Sequence, residues 1–300
     1  MIAVTILGNN SAVPAYDRHP SAQIVQTEEH TFLVDCGEGT QMQMNDLKIR
    51  RSKINHIFIS HLHGDHYFGL IGLLNSLALN NRTTDLHLYA PADLEAIIQI
   101  QLNAASAKLP YLLHFHDLEG EKILFEDKKL VVSSFKVHHR IECWGFLFKE
   151  KKNPRKIHLK KVRKHRVPSS FFEQLHRGED YMTPQNVIIP NKELTVANSP
   201  GKSYAYCADT GYYEPICEKI KGVDLMYHET TYLDALEEKA NLRFHSTSKQ
   251  AARIAKKAGA KRLIIGHFSS MYEDLEDFEI EAREVFENTD LAMEGVCFLA

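Results

Sequence analysis

The densest chemistry in the chain sits in six residues, His61-Leu-His63-Gly-Asp65-His66. Imidazole nitrogens and a carboxylate at this spacing suit a borderline cation such as zinc. In extended backbone His61 and His63 point the same way, and Gly64 permits a turn that brings Asp65 and His66 to a second position. Four ligands divided between two metals are too few, so further donors must come from downstream. His138-His139, Asp209 and His267 each follow an apolar run (residues 130–137, 204–208 and 263–266) and should emerge at a sheet rim. A carboxylate such as Asp209 can bridge two cations, and a water between them would be acidified enough to act as hydroxide at neutral pH. That is hydrolytic chemistry. The 17 histidines in 300 residues, beside one tryptophan, point the same way.

The elements around these residues must hold them. Apolar runs at 2–7, 22–26 and 31–35, separated by turn residues, read as a hairpin-rich sheet. Residues 54–60 form a buried strand that delivers the histidine loop, and 67–79 has the length and apolarity of a buried helix. Further strands are expected at 86–89, 130–137, 143–148, 203–207, 224–227 and 262–265. Helices are expected from Pro91 to about Ala105 and over 213–221, 247–258 and 276–287. Strands alternating with helices after opening hairpins indicate an α/β fold, sheets covered by helices, in one domain over 1–300.

Composition excludes several classes. Hydrophobic residues at 44% and charged ones at 25% describe an ordinary globular chain. No stretch reaches the roughly 18 apolar residues of a spanning helix, and the first residues lack a basic leader region, so neither a membrane protein nor a secreted precursor is expected. Five scattered cysteines without a C-x-x-C pair argue against disulfides and against a thiolate metal site, and fit the cytoplasm. Charge is unevenly distributed. Residues 149–166 carry ten Lys/Arg against one Glu, or +9, leaving 26 basic and 38 acidic residues, or −12, elsewhere. An inserted basic arm over 150–194 is therefore expected to meet a polyanion, through residues such as Lys160, Lys161 and Arg163. Phe171, Phe172 and Tyr181 beside it read as packing for a small subdomain. His114, His116 and His138 read as surface or satisfied core histidines.

The loop with its distant His, Asp and His resembles the metallo-β-lactamase superfamily, which implies an αββα four-layer sandwich and two zinc ions per subunit. Within it the chain is similar to the short-form ribonuclease Z family. The likeness rests on Val34-Asp-Cys-Gly-Glu-Gly-Thr-Gln41, Ile59-Ser-His-Leu-His-Gly-Asp-His66, His139-Arg-Ile-Glu-Cys-Trp-Gly145, Tyr206-Cys-Ala-Asp-Thr210, His228-Glu-Thr-Thr231, His245-Ser-Thr247 and Gly266-His-Phe-Ser-Ser270. The resemblance implies a homodimeric endonuclease that trims the 3′ trailer of precursor tRNA. It implies His61, His63 and His139 on one zinc, Asp65, His66 and His267 on the other, and Asp209 bridging. It also makes Asp65 the acceptor of the water's proton, Glu229 and His245 a relay to the leaving 3′ oxygen, and Ser246, Thr247, Ser269 and Ser270 donors to phosphate. Two departures stand out. Val167-Pro168 is followed by Ser169-Ser170 where the family's arm has a Gly-Pro turn, and Met271 stands where the family normally has Arg, with Arg18 a candidate to replace that charge. The alternative reading is a small-molecule phosphodiesterase or lactonase of the same superfamily.

Overall fold

A computed structural model describes residues 1–151, 154–198 and 200–300; Lys152 and Asn153 of the basic run lie outside the described residues. The chain forms two compact units, one of residues 1–126, 131–149 and 202–300, the other of 127–130 and 150–201.

Two seven-stranded sheets build the larger unit. The first runs Cys297–Leu299, Ala3–Gly8, Ala22–Gln26, Thr31–Val34, Ile54–Phe58, Leu86–Ala90, Leu113–Asp117, and is parallel from Thr31–Val34 onward. The second runs Thr289–Leu291, Leu263–Gly266, Leu225–Glu229, Ser203–Cys207, Trp144–Glu150, Leu130–Lys136, Ile123–Glu126, with its first four strands parallel. Parallel strands are covered on both faces, which is why Leu263–Gly266 reads Leu-Ile-Ile-Gly and is buried throughout.

Alternation along each strand makes the layers. Phe32 and Phe58 point between the sheets and meet Phe148 and Phe146 at ring separations of 5.4 and 5.3 Å. Leu33 and Ile57, one residue on or back, point outward into a cluster with Met44, Leu73, Leu74, Leu94 and Ile98 from helices Thr40–Asp46, Leu70–Leu79 and Asp93–Ala104. On the second sheet, helix Ser248–Ala258 buries Ala251, Ala252, Ile254 and Ala255. Thr247 and Gln250 cap its start reciprocally and Gly259 ends it in the left-handed region. Helix, sheet, sheet, helix is the αββα arrangement.

Several boundaries differ from expectation. The helix expected over 67–79 is split into Gly64–Tyr67 and Leu70–Leu79. Gly69 lies between them, where a Cβ would fall 2.1 Å from the Gly37 carbonyl oxygen. The helix expected over 213–221 is only Ile216–Lys219, and that over 276–287 stops at Arg283.

The smaller unit pairs Lys156–Ile157 with Thr195–Val196 and Tyr181–Met182 with Ile188–Ile189, beside helices Leu159–Lys164 and Phe172–Arg177. Val162, Val167, Leu175, Tyr181, Ile189 and Leu194 form its core, with Phe171 and Phe172 packed against it. Its aromatic residues therefore pack internally. Val162 turns inward while Lys160, Lys161, Arg163 and Lys164 stay exposed on the same helix. Among the described residues, no helix is long and apolar enough to cross a membrane, and all five cysteines are free thiols.

Candidate metal centre and active site

Strand Ile54–Phe58 ends just before His61, and the extended backbone that follows brings His61 Nε2 to 2.9 Å from His63 Nδ1. Gly64 opens the turn without entering the left-handed region, and a Cβ there would lie 2.2 Å from the Phe68 ring. The turn is made by the short helix Gly64–Tyr67, which carries Asp65 and His66 round. Gly37 makes room for it, since a Cβ there would lie 2.4 Å from the Asp65 carbonyl oxygen. The remaining donors come from strand ends. His139 follows Leu130–Lys136, Asp209 follows Ser203–Cys207, and His267 follows Leu263–Gly266 with φ at 64°.

All seven expected donors converge. His61, His63, His139 and Asp209 form one group, and Asp65, His66 and His267 form a second. Asp209 faces both. Its Oδ2 lies 3.6 Å from His61 Nε2 and 3.9 Å from His139 Nε2, while its Oδ1 lies 3.3 Å from His66 Nε2 and 3.2 Å from His267 Nε2. His267 Nε2 is also 3.3 Å from Asp65 Oδ2. His138 does not join, as expected; its ring stacks on Tyr213.

A second ring of partners orients these imidazoles. Nδ1 of His61 meets Ser60 Oγ at 3.0 Å, that of His66 meets Asp35 Oδ2 at 2.8 Å, that of His139 meets the Phe244 carbonyl at 2.9 Å, and that of His267 meets Thr231 Oγ1 at 2.9 Å. Holding Nδ1 this way leaves Nε2 facing the centre, as ligand imidazoles require. Asp35 lies in the segment Val34–Gln41, and the sequence alone assigns it no role. It is fully buried, has φ at 55°, and accepts from Ser60 N, Ser60 Oγ and the Tyr206 hydroxyl as well as His66. Its signal in the sequence was an acid closing an apolar strand.

The donor set fits divalent cations. Buried His66 Nε2 and Asp209 Oδ1 have no hydrogen-bond partner, an arrangement that is costly unless something positive sits between them. Burial, with His66 next, pushes His61 well below its ordinary pKa, and burial takes His63 to about 4. Burial opposes ionisation of Asp65, but His66 and His267 outweigh it and hold this carboxyl below its usual range. His66 is the exception: burial opposes its charge, but Asp209 and Asp65 raise it well above its ordinary value, so it gives up a proton when metal binds, since neutral imidazoles and ionised carboxylates are the forms that bind it.

Beside the centre, Glu229 is fully buried and takes His245 Nδ1 at 2.9 Å. It also accepts from the backbone of Thr210, Thr231 and Ser246. Burial disfavours a charged His245, yet the Glu229 carboxylate prevails and raises this imidazole to about 9. His245 lines a cavity of about 810 Å³ together with His63, Asp65, Asp209, Ser269 and Ser270. Ser246 and Thr247 do not. Both are buried, with the Ser246 hydroxyl donating to the Thr210 carbonyl and that of Thr247 to Asp234, so their expected part as phosphate donors is corrected. Arg18 is also engaged elsewhere. Its guanidinium donates to Asn10 Oδ1 and to the carbonyls of Glu273 and Tyr272. Lys160, Lys161 and Arg163 belong to the smaller unit.

Comparison with known proteins is consistent with this geometry. Residues 2–151 match the family model of the anti-Pycsar protein Apyc1, and residues 170–268 match the β-lactamase superfamily domain. The chain is 42% identical over 294 residues to ribonuclease Z of Bacteroides fragilis, covering 97% of each. It is 44% identical over 298 residues to ribonuclease Z of Cytophaga hutchinsonii, covering 98% of this chain and 94% of that one. Among solved structures, human tRNase Z, short form, superposes with a TM-score of 0.72 at 26% identity, covering 99% of this chain and 98% of that one. A donor set built for divalent metal on an αββα sandwich, and likeness running the whole length to several relatives, place the chain in the ribonuclease Z family of metallo-β-lactamase-fold nucleases.

Proposed function

We propose that the protein removes the 3′ trailer of precursor tRNA, hydrolysing one phosphodiester after the tRNA body to leave a 3′-hydroxyl on the tRNA and a 5′-phosphate on the trailer. The observation that carries this reading is the meeting of seven metal donors with a carboxylate-held histidine at one cavity, in a chain of this family.

His61, His63 and His139 would hold one cation and Asp65, His66 and His267 the other, with an oxygen of Asp209 toward each. When bound, such cations supply Lewis-acid charge and a water acidified toward hydroxide. Zinc, two ions per subunit, suits imidazoles and carboxylates in this number. Asp65 takes the proton of the attacking water, whose oxygen forms a bond to phosphorus as the bond to the 3′ oxygen breaks. Glu229 fixes Nδ1 of His245, leaving Nε2 to give its proton to that departing oxygen. Ser269 and Ser270, on the cavity wall, donate to phosphate oxygens. Lys160, Lys161 and Arg163 bind the tRNA body through its phosphates, by shape rather than sequence. The working form is a cytoplasmic homodimer in which the basic arm of one subunit grips tRNA cut by its partner.

The test is incubation of zinc-loaded protein with precursor tRNA labelled at its 5′ end, beside Asp65→Ala and a variant lacking residues 152–190. One cut near the discriminator base is expected, absent in Asp65→Ala. The arm deletion should abolish that cut while bis(p-nitrophenyl) phosphate is still hydrolysed. Wild-type protein that hydrolyses small diesters or lactones and leaves precursor tRNA intact would contradict the substrate; equal loss on both substrates in the deletion would contradict the arm's role.

A further inference from the structure

The cavity at the metal centre has three cationic side chains on its wall, Arg140, Lys239 and Arg243, and Arg18 is not among its lining residues; the four differ in what already holds them. Arg18 is buried and its donors are engaged by Asn10, Tyr272 and Glu273. Arg140 donates through Nε and Nη2 to His63 Nε2 at 3.1 and 3.0 Å. Arg243 is exposed in the last turn of helix Glu237–Arg243 and, among the described residues, makes no side-chain hydrogen bond or ion pair, though its charge acts on Tyr232. Lys239, one turn earlier, is different. Its ammonium is positioned at the cavity, 5.0 Å from the centre of the buried Tyr232 ring and 3.8 Å from Sδ of Met271, and among the described residues it has no carboxylate partner.

A thioether is a weak acceptor and an aromatic face a weak anion substitute, so these contacts orient the ammonium without neutralising it. Ser269 adds to the same wall. Its Oγ accepts from Met271 N at 3.4 Å, and among the described residues no acceptor for its own proton is present. A fixed, uncompensated cation beside a free hydroxyl, facing the cavity that holds His245, is complementary to a phosphate monoanion.

We propose that Lys239 binds a phosphate of the RNA chain adjacent to the one hydrolysed, with Tyr232 and Met271 setting the position of its charge. The inference rests on the nuclease reading above. It makes Lys239 a substrate-binding residue, with Ser269 as its hydrogen-bonding neighbour. Because Met271 Sδ lies against Nζ, a cationic side chain at position 271 reaches the same place. The charge can therefore be moved from one element to the other without moving the phosphate.

The experiment measures kcat/KM on precursor tRNA and on bis(p-nitrophenyl) phosphate, which has no neighbouring phosphate, for wild type, Lys239→Ala, Lys239→Arg and Lys239→Ala combined with Met271→Arg. Lys239→Ala is expected to lower kcat/KM on precursor tRNA about tenfold through a raised KM, with a loss at least fivefold smaller on the small diester. Its dependence on salt should be shallower by about 0.7 in log–log slope, one single-strand phosphate contact. Lys239→Arg and the combined variant should return to within about threefold of wild type. Equal losses on both substrates, an unaltered salt slope, or a combined variant no better than Lys239→Ala would overturn the inference while precursor tRNA is still cut by wild type. Wild-type protein that does not cut precursor tRNA would overturn the nuclease reading and this inference with it.

Discussion

Two groups of histidines in the larger unit have opposite organisation. At the metal centre, His61, His63, His66, His139 and His267 turn ring nitrogens toward two carboxylates. Near the edge of the first sheet, His56, His87 and His114 occupy facing positions on three adjacent strands and stack plane on plane, at 4.9 and 4.8 Å with interplanar angles of 15°. His116 closes that group, with its Nε2 at 2.9 Å from His87 Nδ1 and its ring stacked on Tyr89. Burial lowers His56 to about 3 as it lowers His61 and His63, whereas at His66 burial is overcome by Asp209 and Asp65, which raise it well above its ordinary value. What separates the two groups is direction. Strand register alone stacks rings and leaves their nitrogens side by side, whereas convergence needs donors from several strand ends and an acid in the middle. Histidines in numbers are therefore a poor sign of a metal site; histidines aimed at a shared carboxylate are a good one.

The contrast is broken most directly by removing the acid. Asp209→Ala should lose bound metal and at least about 10³-fold in kcat/KM, by elemental analysis and the precursor assay. His87→Phe, which keeps a stacked ring, should retain full metal content and stay within about threefold in rate. Metal loss from His87→Phe, or metal retained by Asp209→Ala, would erase the distinction. A smaller effect is expected one step out. Asp35→Asn keeps the size of the side chain but not its charge, and should weaken metal binding roughly 10- to 100-fold in competition with a chelator.

The smallest effect belongs to the stacked group. His56 resists protonation in the folded chain down to about pH 3, while an unfolded histidine takes its proton near 6.5. The unfolded state thus binds more protons between these values, so this residue's contribution is complete above about 6.5 and declines as pH falls toward 3. In chelator-treated protein, His56→Phe should show a shallower loss of Tm over that window than wild type. Parallel slopes would mean that the stack tolerates charge.

The metal donors were legible in the sequence because four are crowded into residues 61–66 and the other three each follow an apolar run, whose polar successor emerges at the sheet rim. His139, Asp209 and His267 all follow that rule. Asp35 follows it too, but its value lies in meeting Ser60, His66 and Tyr206, which only tertiary packing brings together. Ser246 and Thr247 mislead in the opposite sense, because hydroxyls beside a catalytic histidine can face inward as readily as outward. Strands Leu113–Asp117 and Ile123–Glu126 escaped because they are short and half-polar, and helix Thr40–Asp46 because Thr-Gln-Met-Gln-Met-Asn-Asp has no apolar stripe of useful width. Lys239 has no motif at all; only its place against Met271 distinguishes it from other surface lysines.

The order in which these strand ends appear also governs when the centre can exist. Asp65 and His267 are 202 residues apart yet side by side. During synthesis the histidine loop is made first, and strand Leu263–Gly266 with the ligand that follows it comes about 200 residues later. A nascent chain therefore has two donors for each cation once the loop is made, gains His139 and then Asp209, and lacks the last donor of the second group until His267 is in place. Uptake of metal by the second group therefore waits on the strand that carries His267, and a chain cut short before that residue cannot become a nuclease with a partly built centre.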